Sequence, residues 1–495
     1  MKEIFSTLVI DGVFFQIADT GIARVWQSLL KEWQKSDFSG HIVVIDRGNT
    51  APKIDGIAYY SMSLYDYEKK ALESEKLQTI CDQFKADLFI STYYTTPLST
   101  PSILIVHDMI PEVIGLNLQE HWWKEKYYSI LCANRYICVS QNTANDLLKF
   151  YPHIDQSLIN IIYNGVDKLF NPASKLEILE TKENLGIELP YFLLIGSRMS
   201  LNGYKNAILF FKALAQWNTP QNFAVVCVGG EPELEEELSI LASTVKIHLL
   251  RPDDSVLKAI YSGAIALIYP SLYEGFGLPI VEAMACACPV ITCRNSSLTE
   301  VAGDAAIYVD EYDIAQMIQA LEQVYTTEIR QKLIQSGLKQ AKKFSWEKMA
   351  TEITNLCLNT IENQYRQKTI NNSSTFLWQE LRKEQINVKK ITDNQSIQES
   401  FYIEEITGLK KIIDNQSIQE SFYIEEITGL KKIIDNQSIQ ELAYIEEIAT
   451  CRDESVSLKA KLELANSEIE AMKTSKFWKI RSLWFRVKEA IKLFL

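Results

Sequence analysis

Nowhere does this sequence hold the roughly 18–20 uncharged apolar residues in a row that a bilayer-spanning helix needs, so no membrane span is expected. Its nine cysteines are odd in number and form no C-x-x-C pair, and its five histidines are scattered. That lack of paired spacing argues against a zinc site. Most cysteines stand in apolar runs, such as Cys138 in RYICVS and Cys227 in FAVVCVGG, and read as reduced core thiols of a cytosolic protein. No two aspartates stand two apart, so there is no D-x-D to hold a divalent ion on a diphosphate. The N-terminal stretch MKEIFSTLVIDGVFF is interrupted at Asp11 and has no small-residue cleavage site, so no secretory signal is read there. Net positive charge is also missing. At −13 the chain lacks the basic surface that general nucleic-acid binding requires.

What remains is the composition of a soluble globular protein, 47% hydrophobic and 23% charged with few Gly and Pro. A length of 495 residues exceeds one ordinary core and implies two or more domains. Up to about residue 365, short apolar runs alternate with helical patterns, as in a parallel sheet with crossover helices. HIVVI, DLFIST, SILIVHD and RYICVS are the strand candidates of a first half; YFLLIGS, FAVVCVGG, VKIHLL, AIALIYPS, PVITC and AAIYVD are those of a second. The aperiodic stretch YNGVDKLFNPASK reads as the linker between them, which places the halves at 1–168 and 169–367, the second closed by a helix from Ser345. Two such halves bind ligands at the carboxyl ends of their strands, in the cleft they share.

A polar linker, 368–390, leads to repeats over 391–472. DNQSIQESFYIEEITGLKKII begins at Asp393 and again at Asp414, with a partial copy from Asp435, a period of 21 or three heptads. Tyr402, Ile406, Leu409 and Ile413 step like a coiled-coil seam, but Gln416, Glu420 and Gly408 interrupt it. Helical spacers open to self-association are expected. Residues 473–495 then form a basic amphipathic pattern, with Phe477, Ile480, Trp484, Val487, Ile491 and Phe494 on one stripe. Over 475–495 this suits an anionic membrane surface; packing on the protein's own helices is the alternative.

Four groups of residues could carry chemistry. The first is YPSLYEGFGLPIVEAMACACPVIT, from Tyr269 to Thr292, where a strand runs into a loop and a helix starts near Leu278 or Pro279. Gly275 and Gly277 flank Phe276 and admit a close ligand, and the free N–H groups at the helix start favour an anion. Glu274 and Glu282, eight positions apart, bracket this phosphate cradle and suit sugar hydroxyls; equally, Glu282 could complement the helix dipole and Glu274 a surface turn. The second is Gly196, Arg198, Lys205 and Asn206 in LLIGSRMSLNGYKNAILFF, two cations at a strand-to-helix turn that could neutralise a diphosphate leaving group. The third is His107-Asp108 at the end of SILIV, a strand-end imidazole that by itself reads as structural as readily as catalytic, with Asp108 open to capping the following turn. The fourth is Gly21, opening the first helix in ADTGIARVWQSLL, which on its own is also a plain strand-to-helix turn.

The cradle segment resembles the E-x7-E signature of the family 4 retaining glycosyltransferases, and the likeness runs over nearly all of residues 1–365. Two positions depart from the pattern: Ala287 where Gly is usual, and Thr299 where Pro is common before Glu300. Near Gly21, Ala23 stands where a second Gly is frequent. The resemblance implies a GT-B fold, two Rossmann-like domains facing a cleft, followed by the helical extension. It implies a retaining, metal-independent transfer of a hexose from a nucleotide-diphosphate sugar, with no cofactor, to a glycan or lipid-linked acceptor at the cytoplasmic face of a membrane. By the same resemblance Glu274 and His107 are catalytic, with Glu274 meeting the donor sugar. Arg198 and Lys205 hold the donor phosphates beside Gly196 and the Gly275–Leu278 amides, Glu282 holds the ribose, and Gly21 faces phosphate or acceptor. A catalytically inactive scaffold and a nucleotide-sugar epimerase of related fold are the rival readings.

Overall fold

The computed structural model describes residues 7–366, apart from 19, 68–69, 119, 200–202 and 220–221, together with 428–429 and 431–432. The linker 368–390, nearly all of the repeats 391–472 and the basic helix 473–495 therefore lie outside the described residues. The chain divides into a unit of residues 1–68 and 76–369 and a second of 69–75 and 370–495. Most described residues belong to the first. No helix among the described residues is long and apolar enough to cross a membrane.

The first unit contains two wholly parallel sheets. Seven strands form one: β1 (Leu8–Asp11), β2 (Ile42–Arg47), β3 (Ala58–Met62), β4 (Leu88–Ser91), β5 (Ser102–Val106), β6 (Arg135–Cys138) and β7 (Ile159–Ile161), in the order β3-β2-β1-β4-β5-β6-β7. The other has six: β8 (Tyr191–Ile195), β9 (Ala224–Val228), β10 (Lys246–Leu250), β11 (Leu267–Tyr269), β12 (Val290–Cys293) and β13 (Ala306–Val309), ordered β10-β9-β8-β11-β12-β13. The ten apolar runs read from sequence all appear; eight are largely buried, as a parallel strand covered on both faces must be apolar, and the other two, β10 and β13, are half-buried edge strands. The remaining strands are β1, β3 and β7. β3 and β7 are half-exposed edge strands, and β1 ends in a charged residue, Asp11. That carboxylate is fully buried and paired with Arg47 at the end of β2, 3.0 Å from both Nε and Nη2, with the Thr95 hydroxyl donating at 2.7 Å.

In each sheet the strand order reverses once, between β1 and β4 and between β8 and β11. A reversal sends successive helices to opposite faces and opens a crevice at the strand ends. Gly21 follows β1, Gly196 follows β8, and the cradle loop follows β11, so three of the four sequence groups sit at these two crevices. His107 follows β5, one strand further along.

The halves are tied at their back. Val166 in the linker pairs with Ser345, just before the last described helix, Trp346–Arg366. That helix belongs by chain position to the second half, yet it packs on the first helix of the first half. The Trp33 indole donates to the Ala350 carbonyl at 3.2 Å and to the Thr354 hydroxyl at 3.0 Å.

The cradle helix, Leu278–Ala285, ends in a Schellman turn: the N–H of Cys288 reaches Ala283 O at 2.9 Å and that of Ala287 reaches Met284 O at 3.2 Å. The turn puts Ala287 at φ +59°, the left-handed region where a Cβ costs about 1–2 kcal/mol. This is why glycine is usual there. Thr299, the other departure, lies in the first turn of Leu298–Ala302, where proline's missing N–H would cost nothing. Ala287→Gly is expected to raise stability by about 0.5–1 kcal/mol, the relief of left-handed strain less the added freedom of the unfolded chain. Urea denaturation of both proteins measures it, and an unmoved or lower midpoint would show that the turn relaxes around Ala287 at no cost.

Candidate functional site

The cradle is built by the loop between β11 and the Leu278–Ala285 helix. Gly277 closes it at φ +97° as the residue preceding the helix, and Pro279 occupies the first turn, as its missing N–H allows. The loop is pinned from both halves. The Ser297 hydroxyl donates to Glu274 O at 2.9 Å and Phe276 O at 3.0 Å, and the Thr143 hydroxyl donates to Gly275 O at 3.1 Å. At Gly275 the other half comes close enough that a Cβ would stand 1.8 Å from the His107 carbonyl oxygen, so no other residue fits. Gly21 faces the start of the same helix, with Leu278 Cδ1 at 3.7 Å from where its Cβ would be.

Both signature carboxylates are buried, and each has a cation. Glu274 Oε1 accepts from Lys205 Nζ at 2.6 Å, and Lys205 also donates to the Tyr269 hydroxyl at 2.8 Å. Glu282 Oε1 accepts from Arg24 Nη1, while its Oε2 takes the Tyr261 hydroxyl at 2.9 Å. Burial pushes the Glu282 carboxyl above the usual range, opposed by Arg24 and by the Tyr261 hydrogen bond. Arg24 spans further, since its Nη2 pairs with Asp254 Oδ1 at the start of the helix Asp254–Gly263. The sequence reading passed over Arg24, although one local signal marks it. It is a cation in the first turn of the helix Gly21–Gln34, where the helix dipole disfavours positive charge unless an outside carboxylate compensates.

The two cations of the second group behave differently. Lys205 lines the site. Arg198 is 2% exposed and turned onto backbone oxygens: Nη1 donates to Gly229 O at 2.6 Å and Gly196 O at 3.2 Å, and Nη2 donates to Glu231 O. The Glu231 carboxylate accepts from the Arg198 N–H at 2.6 Å and from the Ser197 hydroxyl at 2.5 Å. Among the described residues Arg198 Nε has no partner, which leaves one buried donor for a ligand. Asn206 adopts a left-handed conformation before the helix Ala207–Gln216, and its amide donates to Pro270 O and Glu311 O, so it supports the loop instead of facing a ligand. Gly196, Arg198, Lys205 and Tyr269 enclose a cavity of about 10 Å³, close to the space of one water.

His107 lies at the junction of the halves, and desolvation lowers its pKa to about 4, so it is neutral at pH 7. Asp108 turns its carboxylate back to the Ile110 N–H at 3.0 Å, the turn-capping alternative. A further cross-cleft contact comes from Glu300. It accepts the N–H groups of Gln141 (2.7 Å) and Asn142 (3.3 Å), which open the helix Gln141–Phe150, and the Tyr163 hydroxyl at 2.6 Å. A carboxylate at a helix N-terminus is stabilised by the unpaired N–H groups and the dipole. Read from sequence, Glu300 is part of a motif; its partner lies 159 residues earlier.

Known proteins resemble this chain. The family described as Glycosyltransferase Family 4 matches residues 20–168, and that described as Glycosyl transferases group 1 matches residues 178–340. The O-antigen chain mannosyltransferase RfbU of Salmonella typhimurium is 29% identical over 249 residues, 48% of this chain and 65% of that protein. O-antigen chain mannosyltransferase B of Escherichia coli is 44% identical over 108 residues, 21% of this chain and 27% of that one. The matches thus span less than two thirds of either relative. Among solved structures, Anabaena HepE in complex with UDP-glucose superimposes with a TM-score of 0.57 at 16% identity, covering 71% of this chain and 99% of HepE. Its likeness bears on the fold, which is the two-domain GT-B fold. Both halves match, the second sheet reverses at the cradle, and the E-x7-E carboxylates bracket it: the chain belongs to the family 4 glycosyltransferases.

Proposed function

We infer that this protein transfers a sugar, a hexose, from a nucleoside-diphosphate sugar to a hydroxyl of a growing cell-surface glycan, with retention at the anomeric carbon. The observation that carries the reading is the Lys205–Glu274 pair at the mouth of an anion-favouring helix start, with His107 from the other half against Gly275. Support comes from relatives named as O-antigen mannosyltransferases and from a neighbour of the same fold solved with UDP-glucose.

In this reading the diphosphate lies against the helix start at Leu278. Lys205 turns from Glu274 to the phosphates, and Glu274 accepts from the donor sugar's hydroxyls. Glu282 accepts from the ribose. The bond from the anomeric carbon to the diphosphate oxygen breaks, a bond to the acceptor oxygen forms on the same face, and the acceptor proton passes to the departing phosphate. Negative charge grows on that phosphate, where Lys205, the Arg198 charge and the helix amides stabilise it. The chemistry is carried by fixed cations and dipoles and asks for no metal. A lipid-linked acceptor suits the O-antigen relatives and gives residues 475–495 a purpose as a membrane-surface anchor.

Calorimetry on the whole protein with UDP, GDP and dTDP in EDTA should show metal-independent binding and name the base. Lys205→Ala is expected to weaken nucleoside diphosphate binding on the order of tenfold or more, the worth of a hydrogen bond to a charged group. Glu274→Gln should leave that binding intact and lower turnover of the sugar nucleotide on the order of a hundredfold or more. Binding unchanged in Lys205→Ala would remove the phosphate assignment.

His107 gives a second check, through pH. A folded-state pKa of about 4 lies below the ordinary value of about 6.5, so the unfolded chain takes up the proton first as pH falls. Stability tied to neutral His107 is complete above about pH 6.5 and is lost progressively toward pH 4. About 2 kcal/mol should disappear between pH 7 and pH 5, and His107→Asn should lack that part of the decline. An identical pH profile in the variant would mean that His107 titrates normally in the folded protein.

A further inference from the structure

Arg24 stands on the acceptor-side half, yet its ion partners, Glu282 and Asp254, both belong to the other half. Its guanidinium also lies 5.5 Å over the Phe170 ring in the linker, and Phe170 meets Tyr261 edge-on at 5.9 Å. Arg24 and Tyr261 between them take both oxygens of Glu282. The Glu282 side chain is only 6% exposed, whereas that of Arg24 is 30% exposed. Arg24 is therefore the outer cover of Glu282. A diol can donate to this carboxylate only where an oxygen is free of other donors, and Arg24, the more exposed member of the ion pair, holds Oε1.

The geometry points to Arg24 as a donor-site residue supplied by the acceptor-side half: without ligand its guanidinium fills the place of the ribose hydroxyls at Glu282, and donor entry exchanges that ion pair for ribose hydrogen bonds. The inference rests on the reading of Glu282 as the ribose's partner. The exchanged pair is also a tie between the halves, so nucleoside entry and loosening of the cleft are one event. A ligand shifts such an equilibrium only by its differential affinity for the two states. Truncating Arg24 leaves Glu282 buried without its cation in the ligand-free molecule, and the ribose then restores its partners. The loss falls on the free state, and the bound state is spared.

The test is calorimetry of the whole protein with UDP, GDP, dTDP and inorganic pyrophosphate, in wild type, Arg24→Ala and Asp254→Asn. Nucleoside diphosphate binding should tighten on the order of fivefold or more in Arg24→Ala, the lower range of couplings between sites. Asp254→Asn keeps the Arg24–Glu282 pair, removes its second anchor and should tighten binding less; it also carries the comparison if Arg24→Ala fails to fold. Pyrophosphate, which has no ribose, should bind all three alike. In thermal melts Arg24→Ala should unfold lower than wild type and gain more from saturating nucleotide. Wild-type binding with equal or weaker binding in both variants overturns the inference and leaves the proposed function standing. No binding of any nucleotide by any of the three overturns the nucleotide-site reading and this inference together.

Discussion

A buried carboxylate needs a cation or several donors, because removing an ionised group from water costs several kcal/mol even after the surroundings relax. The two glutamates of the cradle meet this need in different ways. Glu274 draws Lys205 from the same half of the molecule, so its pairing is local to the second sheet's crevice. Glu282 draws Arg24 from across the cleft, so its charge is neutralised only while the halves meet. The cleft is thus electrostatically closed by its own groups.

Around these pairs the interface is assembled from contacts of unequal character. The Trp33 indole on the last described helix and the Val166–Ser345 pairing are held by packing and backbone, away from the strand ends. Glu300 on the amides of Gln141 and Asn142, and Arg24 on Glu282 and Asp254, are charge contacts between elements of different halves. Charge contacts weaken with solvent and salt, and packed apolar contacts do not. The close approach of the His107 carbonyl to Gly275 shows how tightly the two halves meet beside the cradle.

The departures from the family pattern carry little chemistry. Ala287 sits in a left-handed turn behind the cradle helix and costs backbone strain without touching a polar group of the site. Thr299 replaces a residue whose advantage there is conformational. Neither alters Glu274, Glu282 or Lys205, and this weakens the view of the chain as a scaffold that has lost its site.

Periodicity and local composition determined much by themselves. Ten apolar runs became ten strands, eight of them where residues covered on both faces of a sheet have few polar alternatives. The helix start at Leu278 followed from Gly277 and Pro279, whose backbone preferences act within a few residues. The half-exposed edge strands β3 and β7 were not read from sequence. Nor were the partners of the site's charges. Arg24 lies 258 residues from Glu282, and Arg198, which by spacing belongs beside a phosphate, is turned onto the carbonyls of Gly196, Gly229 and Glu231. Sequence spacing reports what one helix or strand needs along its own axis. Which cation neutralises which carboxylate was decided only when two sheets, each reversing its strand order at its centre, brought their carboxyl ends to a common cleft.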